Sequence, residues 1–264
     1  PPVFTDTAKH WAKDDIDILI FKHIAEGRND KFEPDEYITR AELVKMLVKV
    51  LMQAPHRNIR LSDAASVSFK DVSVIGEDRL YIGAAVQEGI ITGLDDGTFR
   101  PEKPVSREEM AAMIARMMNI KSELDVSETA FKDKEQISAW AAKDVAAAYE
   151  KGIMTGDGEG NFSGKKYVTR AEAAVMVKRI MESMGLIDLP SMVSGKLVIS
   201  DIEGRHYELE TDEGIYVLIA DEKDRTINKM LDNMVGKEIK VKGYFQSGFN
   251  IYQRGKMFKV ISIE

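Results

Sequence analysis

A chain of 264 residues is long for one domain and ordinary for two. Hydrophobic residues make up 44% and charged residues 31%, and no run approaches the roughly 18 apolar residues that a membrane-spanning helix needs. The net charge of -7 argues against general phosphate neutralisation, and the absence of cysteine removes disulfides, thiolate nucleophiles and Cys-based metal sites. The opening Pro1-Pro2-Val3 carries no basic-then-apolar leader, so the expectation is a cytoplasmic chain or one whose signal peptide has been removed.

The first element is Phe4-x-Asp6, followed by His10-Trp11-Ala12 near the start of a predicted helix, and then by Gly27 and the turn residues Asn29-Asp30. Phe32 stands seven residues before Thr39-Arg40-Ala41-Glu42. That tetrad opens an apolar run at Leu43, Met46, Leu47, Val50 and Leu51, the i, i+3, i+4, i+7, i+8 stripe of a helix with one buried face.

The same order then returns twice, at a repeat length of about 62 to 65 residues. The second copy runs through Phe69, Asp71, Gly93, Asp95-Asp96-Gly97 and Phe99 to Ser106-Arg107-Glu108-Glu109, with Met110, Met113, Ile114, Met117 and Met118 behind it. It has Glu77 where the first copy has Trp11. The third runs through Phe131, Asp133, Trp140, Gly156, Asp157-Gly158-Glu159-Gly160-Asn161 and Phe162 to Thr169-Arg170-Ala171-Glu172 and Ala173, Met176, Val177, Ile180 and Met181. Each copy reads as helix, turn-rich loop, helix, and is too short to bury both stripes alone. We expect repeats at 1–52, 69–118 and 131–184, joined by polar connectors and packed as one cooperative domain over 1–187. The methionines fall on buried helical positions and read as core.

Thr39, Ser106 and Thr169 with Glu42, Glu109 and Glu172 have capping-box spacing, so these six are structural first. Arginine at the first helical position is less easily explained, because a cation there opposes the helix dipole. Two readings stay open for Arg40, Arg107 and Arg170. Each pairs with a neighbouring carboxylate, or each joins free helix amides in a carboxylate site, exposed enough that its removal costs under about 0.5 kcal/mol. Trp11 and Trp140 are likewise either partly buried anchors or apolar platforms beside a sugar ring.

The Phe-x-Asp starts, His10-Trp11-Ala12, the run Gly-Leu-Asp-Asp-Gly-Thr-Phe-Arg-Pro at 93–101 and the Thr-Arg-Ala-Glu tetrads resemble the surface-layer homology (SLH) repeat, over about 180 residues. The resemblance implies an all-α, pseudo-threefold trimer of helix-loop-helix repeats. It implies a secreted protein of the bacterial cell wall or S-layer, non-enzymatic and without cofactor or metal. Secondary cell-wall polymer, a pyruvylated glycan linked to peptidoglycan, would lie in the inter-repeat grooves with Arg40, Arg107 and Arg170 on its carboxylate. Self-assembly would use other regions. Departures in the second copy (Glu77, Ser106, Glu108), and Gly164 where Pro34 and Pro101 stand, put equivalence of the grooves in doubt.

Other chemistry finds little support. The loop from Asp157 imitates the start of a calcium loop but has Phe162 at its sixth position and Val168 at its twelfth. The histidines at 10, 23, 56 and 206 have no metal-binding spacing, and no nucleotide or nucleophile motif appears.

From about Gly195 the period becomes 2. Strands are expected at 196–199, 207–210, 216–219, 238–245 and 258–263, with a helix at 226–234. The 190–264 segment thus resembles a small OB-like all-β barrel, making the whole chain multidomain. Tyr244, Phe245, Phe249, Tyr252 and Phe258 gather near Lys240, Lys242, Arg254, Lys256 and Lys259, a mixture that single-strand binders use. Eleven basic against twelve acidic residues there argue against nucleic acid. The competing classes are a surface enzyme whose catalytic part lies outside this chain and an OB-type oligonucleotide- or oligosaccharide-binding protein.

Overall fold

The computed structural model describes residues 4–55, 57–61, 69–72, 76–187, 191–202, 204–220, 225–246 and 255–263. The chain divides into two compact units, Pro1–Leu186 and Ile187–Glu264.

In the first unit each repeat supplies a first and a second helix: α1 (Lys13–Phe21) and α2 (Arg40–Gln53), α3 (Asp78–Gln87) and α4 (Arg107–Met118), α5 (Ala142–Glu150) and α6 (Arg170–Ser183). The second helices start at complete capping boxes. The hydroxyls of Thr39, Ser106 and Thr169 accept from the amides of Glu42, Glu109 and Glu172 at 3.2–3.3 Å. The glutamate carboxylates accept from the cap amides at 2.9–3.0 Å. Each cap is worth about 1 kcal/mol. Behind the caps the apolar stripes, including Met46, Met110, Met113, Met176 and Met181, are buried. Shortly after each first helix comes a left-handed residue: Gly89 and Gly152 in two repeats, and His23 at φ 57° in the other.

The loops between the helices are clamped by the aspartates of the Phe-x-Asp starts. Asp6 accepts from the amides of Phe32 and Glu33 at 3.1 and 2.7 Å, Asp71 from Phe99 and Arg100 at 2.8 and 2.7 Å, and Asp133 from Phe162 and Ser163 at 2.6 and 2.8 Å. Glu33, Arg100 and Ser163 all sit at φ 56–58°, a conformation uncommon for any residue but glycine, so the carboxylate holds a strained backbone. The three phenylalanines are fully buried beneath it.

Burial pushes the Asp6 and Asp71 carboxyls up, but the loop amides outweigh it and hold both below the ordinary value. A depressed folded pKa contributes stability that is complete above the unfolded carboxylate pKa near 4 and is lost as pH falls through the folded value. The thermal midpoint of the full chain should therefore be level down to about pH 5 and drop below about pH 4. A protein carrying Asp6→Asn and Asp71→Asn should start lower at neutral pH and lose less on acidification. Parallel pH profiles of the two proteins would count against the clamp.

The residues before the caps join the three repeats. The Ile38 amide donates to Val168 O at 3.0 Å, the Val168 amide to Val105 O at 2.9 Å, and the Val105 amide to Ile38 O at 3.1 Å. These bonds form a closed cycle, and all three side chains are buried.

The second unit is a closed five-stranded barrel in the order β1-β2-β3-β5-β4. Its strands are β1 (Ser191–Ser200), β2 (His206–Thr211), β3 (Gly214–Ile219), β4 (Glu238–Gln246) and β5 (Lys256–Ile263), with α7 (Arg225–Met234) between β3 and β4. Only the β3–β5 pairing is parallel. Strand β1 closes the barrel by pairing with β4 over 191–196 and with β2 over 196–200. A Cβ at Gly195, where it changes partner, would run into the backbone of Glu210. The β region thus begins at Ser191, ahead of the Gly195 onset expected from period, because the first half of β1 is recognisable only by its pairing. Leu231 of α7 packs into the core with Leu197, Leu209, Leu218 and Phe258. Phe245 packs on Tyr216 and Phe258, with ring centroids 5.4 and 5.0 Å away, while its other side stays exposed. Phe249, Tyr252 and Arg254 lie outside the described residues.

Candidate functional site

At every junction the second helix of one repeat enters against the loop of the next. The amides of Arg40 and Ala41 donate to Lys103 O and Pro101 O, those of Arg107 and Glu108 to Lys166 O and Gly164 O, and those of Arg170 and Ala171 to Glu36 O and Pro34 O, all at 2.8–3.0 Å. The first helix of the following repeat packs on the same second helix, α3 on α2, α5 on α4 and α1 on α6. Each groove therefore has a loop and helix from one repeat, an arginine from the repeat before and a helix start from the repeat after.

The expectation of exposed arginines beside free helix amides is overturned. Arg40, Arg107 and Arg170 are only 5–7% exposed, and the helix amides are taken by the loop carbonyls and the caps. Each Nε donates to the carbonyl of the next repeat's buried phenylalanine: Arg40 to Phe99 at 2.8 Å, Arg107 to Phe162 at 2.6 Å and Arg170 to Phe32 at 2.8 Å. The guanidinium also lies over that ring, 4.8–5.1 Å from its centroid. Arg40 pairs with Glu109 at 3.0 Å, Arg107 donates to Thr155 O at 2.8 Å, and Arg170 pairs with Glu42 at 2.6 Å while donating to Glu26 O at 2.7 Å. Burial pulls all three guanidinium groups below their ordinary value against the pull of nearby carboxylates, and they stay protonated. The structure thus places the arginines at the groove floors as ties between repeats.

The S-layer homology domain profile matches residues 3–44, 68–111 and 130–174. The chain belongs to the S-layer homology family. Its SLH segment is 37% identical over 188 residues to an amylopullulanase of Thermoanaerobacterium thermosulfurigenes, covering 70% of this chain and 10% of that one. It is 37% identical over 183 residues to the exoglucanase XynX of Acetivibrio thermocellus, covering 68% and 16%. It is 31% identical over 184 residues to the S-layer protein sap of Bacillus anthracis, covering 67% and 21%. The chain spans about a fifth or less of the length of these relatives.

The three SLH grooves are not alike. Trp11 and Trp140 stand 67% and 57% exposed just before α1 and α5. At the α2–α3 junction that place is held by Glu77, which pairs with Lys45 at 3.2 Å. Glu26 binds Lys45 at 2.8 Å and also Lys49, and Arg28 forks onto Glu42 at 2.8 and 2.5 Å. Burial pushes the Glu42 carboxyl up, yet Arg28 and Arg170 hold it below the ordinary range. Glu26, Arg28, Glu42, Lys45 and Arg170 line a pocket of about 250 Å³ together with Gly27, Phe32, Met46 and Asp78. Sequence reasoning registered Glu77 as a break in the pattern but missed this network, since Lys45 has Ala112 and Val175 as its counterparts. It also missed the aspartate clamp, whose signal was the recurrence of Asp two residues after Phe. Among the described residues no cluster of His, Asp or Glu could hold a metal ion, and no helix is long and apolar enough to cross a membrane.

Proposed function

We propose that residues 1–187 are a non-catalytic cell-surface anchor in which three SLH repeats form a pseudo-threefold body and hold secondary cell-wall polymer, a peptidoglycan-linked pyruvylated glycan, in the grooves between them. The observation that carries this reading is the composite groove, which takes one wall from each repeat and presents an exposed tryptophan at two junctions. Aromatic faces at a groove rim suit sugar rings. Arg40 and Arg107 keep an Nη2 and an Nη1 edge, respectively, for a ligand carboxylate, whereas all three nitrogens of Arg170 are engaged within the protein. One segment shared by proteins named as a glucanase and as an S-layer protein supports an anchor that serves different cargo. A catalytic portion elsewhere on the same polypeptide is the second reading that this sharing favours.

The β1–β5 barrel is an OB-like spacer or assembly module in this proposal and takes no nucleic acid. The location follows from the anchor: a secreted protein held at the wall of a bacterium.

Sedimentation with purified sacculi tests the anchor. Binding should be strong on intact sacculi and lost once their non-peptidoglycan polymer has been extracted. Equal binding to extracted sacculi would sink the glycan reading.

A further inference from the structure

The junction from the second to the third repeat differs from the other two by a matched pair of exchanges. Glu108 stands where α2 and α6 have Ala41 and Ala171, and Gly164 stands where the other loops have Pro34 and Pro101. The two positions meet, since the Glu108 amide donates to Gly164 O at 3.0 Å. A Cβ on Gly164 would lie 2.6 Å from Glu108 Oε1 and 2.8 Å from its Cγ, so the glycine leaves room for the glutamate.

Glu108 is 1% exposed, and a carboxylate so buried destabilises the fold unless its oxygens are bonded. Both are. Oε1 accepts from the Ser138 amide at 2.9 Å, and Oε2 accepts from Lys165 Nζ at 2.7 Å, which also bonds the Ser138 hydroxyl. Burial pushes this carboxyl up, but Lys165 and Ser138 outweigh it and keep it ionised at neutral pH. Ser138 in turn opens a tight turn closed by the Ala141 amide on Ser138 O at 2.9 Å, and Trp140 stands inside that turn. Beside Trp11, by contrast, the ring of His10 meets Asp35 of its own repeat at 3.3 Å. The Trp140 turn is thus pinned by a carboxylate from the preceding repeat.

We infer that Glu108 is a positioning residue for Trp140, clamping the aromatic wall of one groove to the helix start of α4, and that Gly164 is the space made for it. The assignment of Trp140 as a groove wall rests on the function proposed above; the clamp does not.

Time-resolved fluorescence anisotropy of the full chain tests this. In a Trp11→Phe background Trp140 is the single tryptophan. Glu108→Ala, the residue of the other two repeats, should lower the indole order parameter by about a third. Glu108→Gln, which keeps the Oε1 acceptor, should retain most of it. An unchanged order parameter in Glu108→Ala would overturn the proposal. Binding to polymer-bearing sacculi should fall about tenfold in Glu108→Ala, as in Trp140→Ala. Lost order with full sacculus binding would uphold the clamp and overturn the groove-wall reading of Trp140 instead.

Discussion

Arg170→Ala should lower the thermal midpoint of the SLH domain by about 10 °C. The substitution leaves Phe32 O and Glu26 O without their donor and removes one of the two cations on Glu42. Breaking a buried pair by deleting one partner costs about 3–5 kcal/mol, and each kcal/mol moves the midpoint of a domain this size by roughly 2–4 °C. Arg107→Ala should cost less, because its hydrogen bonds go to two backbone carbonyls and not to a carboxylate, and a hydrogen bond from a charged group is worth about 1.5–3 kcal/mol. Arg170→Lys should recover little, since an ammonium cannot reproduce three bonds made from one planar fork. Circular-dichroism melting decides it: a shift under about 2 °C for Arg170→Ala would mean that the junction is held by its backbone bonds alone. Loss of glycan binding in such a variant would by itself say nothing of ligand contact.

The tryptophans give the cleaner functional test. Trp11→Ala combined with Trp140→Ala should weaken sacculus binding about a hundredfold while leaving the melting profile almost unchanged. Each side chain is more than half exposed, so its removal costs the fold little, within about 0.5 kcal/mol. As aromatic contacts in two separate grooves, each is worth about a factor of ten in binding, and sites far apart add in free energy. Equilibrium sedimentation with polymer-bearing sacculi measures the loss. Full binding by the double variant would remove the tryptophans from the site and leave the grooves without an aromatic wall.

The repeat, the capping boxes and the barrel strands were legible because the interactions behind them are local. A hydroxyl bonds an amide three residues on, a helix stripe recurs within two turns, and a strand alternates at every residue. The Phe-x-Asp clamp lay at the edge of legibility. Its three copies were visible, but not that each carboxylate reaches a backbone turn 26 to 30 residues away.

The role of the arginines was decided by closure of the cycle. Arg40 meets Phe99 at a separation of 59 residues, and Arg170 meets Phe32 at 138. A cation opposing a helix dipole looked like half of an open anion site until the next repeat's carbonyls and carboxylates were brought against it. The same closure left Trp11 and Trp140 in solvent and set Glu77 against Lys45. Residue choice within each repeat dictated helices and loops, while burial and pairing at the junctions depended on which repeat followed which in space, a relation that no single copy contains.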